Sequence, residues 1–218
     1  MSEFPGQLHD LYEAILTGDA KKSVEITQAA LQADVDPQHL VNEHMIPAMN
    51  EAGRRFEIHE YFVPELLIAA RAMKGALVLI RPLLAKQGVQ PVGRVVIGTV
   101  KGDLHDIGKG LVASMLEGGG FEVVDLGVDV SASKFIEQAI SHRADIVAVS
   151  ALLTTTMVGM KDVVRALRES EINDRCRIII GGAPVTQQFA DSIGADGYSS
   201  NANSAVALAR SIVGFCPK

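Results

Sequence analysis

The segment Lys101-Gly102-Asp103-Leu104-His105-Asp106-Ile107-Gly108-Lys109-Gly110 places two carboxylates and an imidazole within four positions. Asp103 and His105 are two apart, so in an extended loop their side chains project the same way. A carboxylate that accepts a hydrogen bond from one imidazole nitrogen fixes the tautomer, raises the basicity of the opposite nitrogen and aims it at a metal or a proton. The spacing also fits a simpler arrangement, in which Asp103 or Asp106 caps the following helix and His105 is a solvated loop residue. Gly108 would let the chain turn closely into that helix.

Two further segments have polar or small residues in runs. Ser150-Ala151-Leu152-Leu153-Thr154-Thr155-Thr156-Met157 offers four hydroxyls that add no charge, which suits a polar, neutral organic ligand or an ordinary helix N-cap. Gly181-Gly182-Ala183-Pro184 leaves room for a ligand, for another backbone or for a tight turn. A lone histidine cannot saturate a zinc ion. It can supply one axial bond to a metal already held in a macrocycle.

The elements that must position these segments are of two textures. Up to about residue 88, apolar residues recur at helical spacing, as in Phe4, Leu8, Leu11, Ile15 and in Leu66, Ala70, Met73, Leu77, Leu84. Punctuation divides this stretch into about four amphipathic helices: Gly18-Asp19 separates the first two, Asp36-Pro37 offers an N-cap followed by proline, and Pro64 starts the fourth. Pro47 and Pro82 fall inside helical pattern and are expected to kink or end their helices.

From residue 94 the chain turns to short Val- and Ile-rich runs at 95–100, 122–126, 146–150 and 178–182, with a short fifth at 196–199 and helical patterns between them. Alternating strands and helices predict a doubly wound, five-stranded parallel sheet of flavodoxin-like type. In such sheets ligands bind beyond the carboxyl ends of the strands, where strand order reverses, and all three segments above follow strands. The glycines and proline of 86–93 mark a linker, which divides the chain into a helical domain over 1–90 and an α/β domain over 91–218.

Composition narrows the function. The chain has 218 residues, 48% hydrophobic and 21% charged, with 20 Lys+Arg against 26 Asp+Glu and a formal charge of −6. That balance opposes nucleic acid and anionic membrane surfaces, and no basic patch overcomes it. Cys176 and Cys216 are too far apart in sequence for a C-x-x-C pair, and two cysteines cannot make a zinc quartet. The N-terminus lacks the basic and apolar regions of a secretory leader, and apolar runs fall short of a bilayer span, so a cytoplasmic protein is expected. No G-x-G-x-x-G follows the first strand, against a dinucleotide cofactor.

These residues resemble the corrinoid-binding proteins of methyltransferase systems and the cobalamin-binding module of methionine synthase. Asp103-Leu104-His105-Asp106-Ile107-Gly108 fits the family's D-x-H-x-x-G, Ser150-Ala151-Leu152 its S-x-L, and Gly181-Gly182 its G-G. The likeness covers nearly the whole chain, with a four-helix bundle as a cap before the α/β domain. It implies a cobalamin or related corrinoid bound base-off and histidine-on, with His105 as lower axial ligand of cobalt. Asp103 and Thr156 then complete a proton relay, Thr156 standing where methionine synthase has Ser.

The resemblance further places Gly102, Leu104, Asp106, Ile107 and Gly108 at the cofactor. It puts Ser150, Leu152, Thr154, Gly181, Gly182 and Ala183 along the nucleotide tail, with Ala202 near its end. Phe56 and Val63 would cover the upper face of cobalt, seven apart on one helix face or the loop leading into it. On residue type alone, Phe56, Tyr61, Phe62 and Val63 fit the interior of a helical bundle. The implied function is methyl carriage between a substrate-specific methyltransferase and an acceptor methyltransferase that uses tetrahydrofolate or a thiol, with a reductive activator as further partner. The linker at 86–93 is expected to hinge. A barrel of about 250 residues exceeds the chain, so no catalytic barrel is expected in it. The alternative is a cobalamin-binding sensor.

Overall fold

The structure, a computed structural model, describes the backbone of residues 4–214 and the side chains from Leu8 onward. The side chain of Phe4 and all of Cys216, both named above, lie outside the described residues. The chain divides into two compact units. One runs to Pro91 and includes Glu117–Gly120; the other holds Val92–Leu116 and continues from Phe121.

In the helical unit, α1 (Phe4–Leu16) and α2 (Ala20–Gln32) are parted at Gly18-Asp19, and the Asp19 side chain caps α2 by accepting from Lys22 N–H. Asp36 caps α3 (Pro37–Leu40) in the same way through His39 N–H. The expected third helix is one helical run in three parts: α3, a π-helical turn (Val41–Met45) and α4 (Ile46–Glu57). Pro47 is the cause, since it sits in the first turn of α4 without an N–H to give back. Pro64 lies in the first turn of α5 (Val63–Lys86), where Glu65 accepts from Phe62 N–H at 2.9 Å. Pro82 does not end α5, which continues for another turn to Lys86. The carbonyl it leaves without a helical donor belongs to Val78, on the exposed side.

Small residues let the helices approach. Ser23 is fully buried and donates from Oγ to the Ala72 carbonyl at 3.0 Å, tying α2 to α5. The interior is completed by Leu11, Ile15, Leu40, Met45, Met49, Leu66, Met73 and Ile80.

The second unit is a five-stranded, all-parallel sheet in the order β2-β1-β3-β4-β5. Its strands are β1 (Arg94–Thr99), β2 (Glu122–Asp125), β3 (Ile146–Ser150), β4 (Arg177–Gly181) and β5 (Gly197–Ser199). The crossovers are α6 (Ile107–Gly118), α7 (Ala132–Ser141), α8 (Met157–Arg168) and α9 (Gln187–Ile193), with α10 (Ala202–Ile212) after the last strand. β1, β3 and β4 are apolar and buried for most of their length, as parallel strands covered on both faces must be. β2 is an edge strand and is only half-buried. Phe135 and Ala139 of α7 and Met160, Val163, Val164 and Leu167 of α8 pack on Val96, Val147, Ile178 and Ile180.

Strand order reverses between β1 and β3, and register brings their ends level. Thr99 pairs with Ser150, and Ser150 with Gly181. The three segments singled out by their chemistry therefore emerge side by side at the carboxyl end of the sheet.

Candidate corrinoid site

The loop after β1 is folded around one carboxylate. Asp103 N–H donates to the Val100 carbonyl at 3.1 Å, and Gly102, at φ 83°, makes the turn that points the Asp103 side chain inward. Asp103 is wholly buried and its two oxygens take five hydrogen bonds. Oδ1 accepts from His105 N–H at 3.1 Å and faces His105 Nδ1 at 2.9 Å. Oδ2 accepts from Leu152 N–H at 2.8 Å, Leu153 N–H at 3.3 Å and the Thr156 hydroxyl at 2.7 Å. Burial pushes the Asp103 carboxyl upward, but the donors from Leu152, Thr156 and His105 together outweigh it and hold the group well below the usual carboxylate range. Asp103 is thus a fixed anion that binds the β1–α6 loop to the β3–α8 loop.

Asp103 does not cap the following helix, and Thr156 does not cap its own. None of the donors to Asp103 belongs to α6. Thr156 stands at the N-cap of α8 but makes no capping bond there. Its single hydroxyl proton faces the Leu153 carbonyl at 2.9 Å as well as Asp103, and the charged, nearer acceptor takes it.

With an anionic partner, His105 Nδ1 carries the proton and Nε2 keeps its lone pair. The ring is 52% exposed, and Nε2 makes no hydrogen bond among the described residues. Leu104 and Ile107 beside it are each 74% exposed, an unusual display of aliphatic surface at the mouth of a polar loop. A Cβ on Gly108 would meet nothing within 4 Å. Gly108 lies inside α6 and makes no close turn, contrary to expectation; the turn is at Gly102, and the glycine at 108 leaves open space. Asp106 is exposed and spends its carbonyl on Gly110 N–H.

At the neighbouring strand ends Ser150 is half-buried, and Leu152 and Thr154 are exposed. Gly182 has φ 133°, and a Cβ there would stand 1.8 Å from the Ala151 carbonyl oxygen, so the β4 end approaches β3 as only glycine permits. Gly181 closes β4, and Ala183 is exposed beyond it. Ala202 opens α10 behind the Asn201 cap and is buried in protein.

The helical-unit residues are placed differently from expectation. Phe56 is in the last turn of α4 and Val63 begins α5, so they share neither a helix nor a helix face. The break between them is made by the cap at Ile58, by His59 at φ 62° and by Pro64. Nor are these residues bundle interior: Phe62 and Val63 are exposed, and Phe56 and Tyr61 only half-buried.

Three contributors were not expected. Thr99, fully buried at the end of β1, donates to the His105 carbonyl at 2.8 Å, and its polarity in an apolar run was the only trace of this. Lys109, with a buried side chain, pairs with Asp125 at the end of β2. Asp129 binds the Asp103 loop from the β2–α7 connection.

No group of three or more His, Cys, Asp or Glu side chains among the described residues could hold a metal ion by itself. The donor set is one imidazole, fixed from behind and open in front, amid exposed aliphatic side chains and glycine space. That set fits a metal delivered in its own macrocycle.

Comparison with known proteins agrees. The B12 binding domain family matches residues 93–207, and a second B12 binding domain family matches residues 7–81. The chain is 39% identical to dimethylamine corrinoid protein 3 of Methanosarcina acetivorans, over 98% of this chain and 100% of that one. It is 44% identical to the trimethylamine corrinoid protein of Methanosarcina barkeri, over 89% and 91% respectively. Among solved structures, the methanol:cobalamin methyltransferase complex of Methanosarcina barkeri superposes with a TM-score of 0.84 at 29% identity, covering 98% of this chain and 82% of that one. With both of its parts matched by B12-binding families, the chain belongs to the B12-binding corrinoid proteins of methyltransferase systems.

Proposed function

We propose that this protein carries a methyl group on a corrinoid from a substrate-specific methyltransferase to a second methyltransferase whose acceptor is tetrahydrofolate or a thiol. The observation that carries the reading is His105, anchored at Nδ1 by a buried anion and, among the described residues, without a hydrogen bond at Nε2. Its similarity to methylamine corrinoid proteins and to a methanol:cobalamin methyltransferase complex supports a methyltransferase partner.

In this reading His105 Nε2 would hold the cobalt, in the base-off, histidine-on arrangement. Gly102, Leu104, Asp106, Ile107 and Gly108 surround it. Ser150, Leu152, Thr154, Gly181, Gly182 and Ala183 would flank the nucleotide tail, with Ala202 behind its end, and Phe56 and Val63 would shield the methyl-bearing metal. When bound, the corrinoid supplies a cobalt centre that accepts and releases the methyl group. The protein's part is to keep the proton on His105 Nδ1, directed at Asp103 Oδ1, and to keep Asp103 anionic through Thr156 and the Leu152 and Leu153 amides. A proton added at this couple weakens Nε2 as a ligand; its removal strengthens it. Residues 86–93 supply the hinge on which the helical unit moves.

The test is cobalamin in its cobalt(II) state, bound to protein grown on isotopically labelled histidine. The expected result is an electron paramagnetic resonance pattern whose nitrogen splitting changes with the label and disappears in His105→Ala. A splitting indifferent to the label excludes histidine-on binding. Absence of methyl transfer by any methylamine or methanol methyltransferase from a chain that binds the cofactor favours a sensor.

A further inference from the structure

We propose that Asp129 is a positioning residue for the Asp103–His105 couple. It lies on the loop between β2 and α7, 26 residues from the carboxylate it serves, and holds the histidine loop by both of its own polar ends. Asp129 Oδ1 accepts from Gly102 N–H at 2.7 Å, and Asp129 N–H donates to the Asp103 carbonyl at 3.0 Å. One residue therefore grips the backbone just before and just after the Asp103 side chain.

Two features make this grip a fixed post. The loop that carries Asp129 is fastened to β1 on both sides: Leu126 N–H to Ile97 carbonyl at 2.8 Å, Thr99 N–H to Gly127 carbonyl at 3.0 Å, and Val130 N–H to Thr99 carbonyl at 2.9 Å. Asp129 itself has φ 55°, a left-handed conformation that aspartate tolerates better than most side chains and that aims its N–H and its carboxylate at adjacent residues of one loop. The histidine loop has its own turn at Gly102, whose N–H is directed out of that loop toward Asp129. Thr99 completes the hold by donating to the His105 carbonyl from the same strand end. Asp103 is thereby set from the β2 side by Asp129 and from the β3 side by Leu152, Leu153 and Thr156.

The inference deepens the reading of His105 as the ligand of the corrinoid and rests on it only in the binding arm of the test. Asp129→Gly keeps the left-handed backbone and removes the acceptor, whereas Asp129→Asn keeps an acceptor oxygen without the charge. In the full chain free of corrinoid, nitrogen NMR of the His105 ring is expected to show the Nδ1–H tautomer in wild type and Asp129→Asn, and a mixture of tautomers in Asp129→Gly. Affinity for hydroxocobalamin is expected to fall roughly tenfold in Asp129→Gly and to stay near wild type in Asp129→Asn. Amide exchange at Gly102 in the wild-type chain needs no variant, and slow exchange is expected there. Wild-type ring shifts and affinity in Asp129→Gly overturn the proposal. So do equal losses in both variants or fast exchange at Gly102. If the ring responds as stated while wild-type protein binds no hydroxocobalamin, the role of Asp129 stands and the corrinoid reading falls.

Discussion

Replacing Asp103 by Asn tests how much of the site rests on one charge. The carboxylate is wholly buried and offers acceptor lone pairs on both sides, to Leu152, Leu153 and Thr156 through Oδ2 and to His105 through Oδ1. An amide has one acceptor and one donor end. With its oxygen toward Leu152 and Thr156, its NH₂ group faces the His105 N–H, and a buried donor is left without an acceptor. The reverse orientation strands the two leucine amides instead. A lost acceptor of this kind costs about 1–3 kcal/mol, and a charge-assisted bond more than a neutral one, so the variant is expected to lose about 2–4 kcal/mol. The imidazole can soften the clash only by accepting at Nδ1, which moves its proton to Nε2 and removes the outward lone pair. Urea unfolding of the corrinoid-free chain at neutral pH, read as a lower midpoint at unchanged slope, measures the first effect. The pH dependence gives an independent check. Because the folded carboxyl is depressed, its contribution is complete above the ordinary aspartate pKa of about 4 and is lost as pH falls through that value toward the folded one. The gap between wild type and Asp103→Asn should therefore narrow in acid. Equal midpoints at neutral pH, or a gap that does not shrink below about pH 4, would refute the reasoning.

Other substitutions separate the parts of the site. Thr156→Val should cost about 1.5–3 kcal/mol in chemical unfolding by removing a donor to a buried anion, with Thr156→Ser close to wild type; equal effects of the two would mean that the methyl, and not the hydroxyl, matters. Gly182→Ala should destabilise the chain by more than about 4 kcal/mol, since its Cβ would lie 1.8 Å from a carbonyl oxygen at φ 133°; a soluble variant melting near wild type would contradict that packing. Gly108→Ala should raise the melting temperature of the corrinoid-free chain, by up to about 1 kcal/mol of helix propensity, while weakening hydroxocobalamin binding. Undiminished binding would show that the space at residue 108 is not used.

The sequence and the structure agree where information is local or periodic. Val- and Ile-rich runs located the strands, and the i, i+2 spacing of Asp103 and His105 offered their pairing as one of two readings, the other being a helix cap beside a solvated histidine. Contacts that cross the sheet were another matter. Thr156 came into view only through a family resemblance, because nothing in a run of threonines says which one faces a carboxylate fifty-three residues earlier. Asp129 carried no motif at all, as its role depends on a left-handed backbone and a parallel crossover. Phe56 and Val63 misled because a spacing of seven suggests one helix face only if the helix is unbroken, and here Ile58, His59 and Pro64 break it.

The position of the site within the strand order bears on how the protein wears under stress. β1 and β3 are each flanked on both sides, while the edges are a four-residue and a three-residue strand. Opening at the β5 edge leaves the Asp103 linkage between the two inner strand ends in place, so that edge can fray first while the histidine stays set. Amides of β1 and β3 should exchange with solvent only through opening of the whole sheet, and those of β5 much sooner. A chain damaged at that margin would thus keep Asp103 and His105 set until the inner strands themselves part.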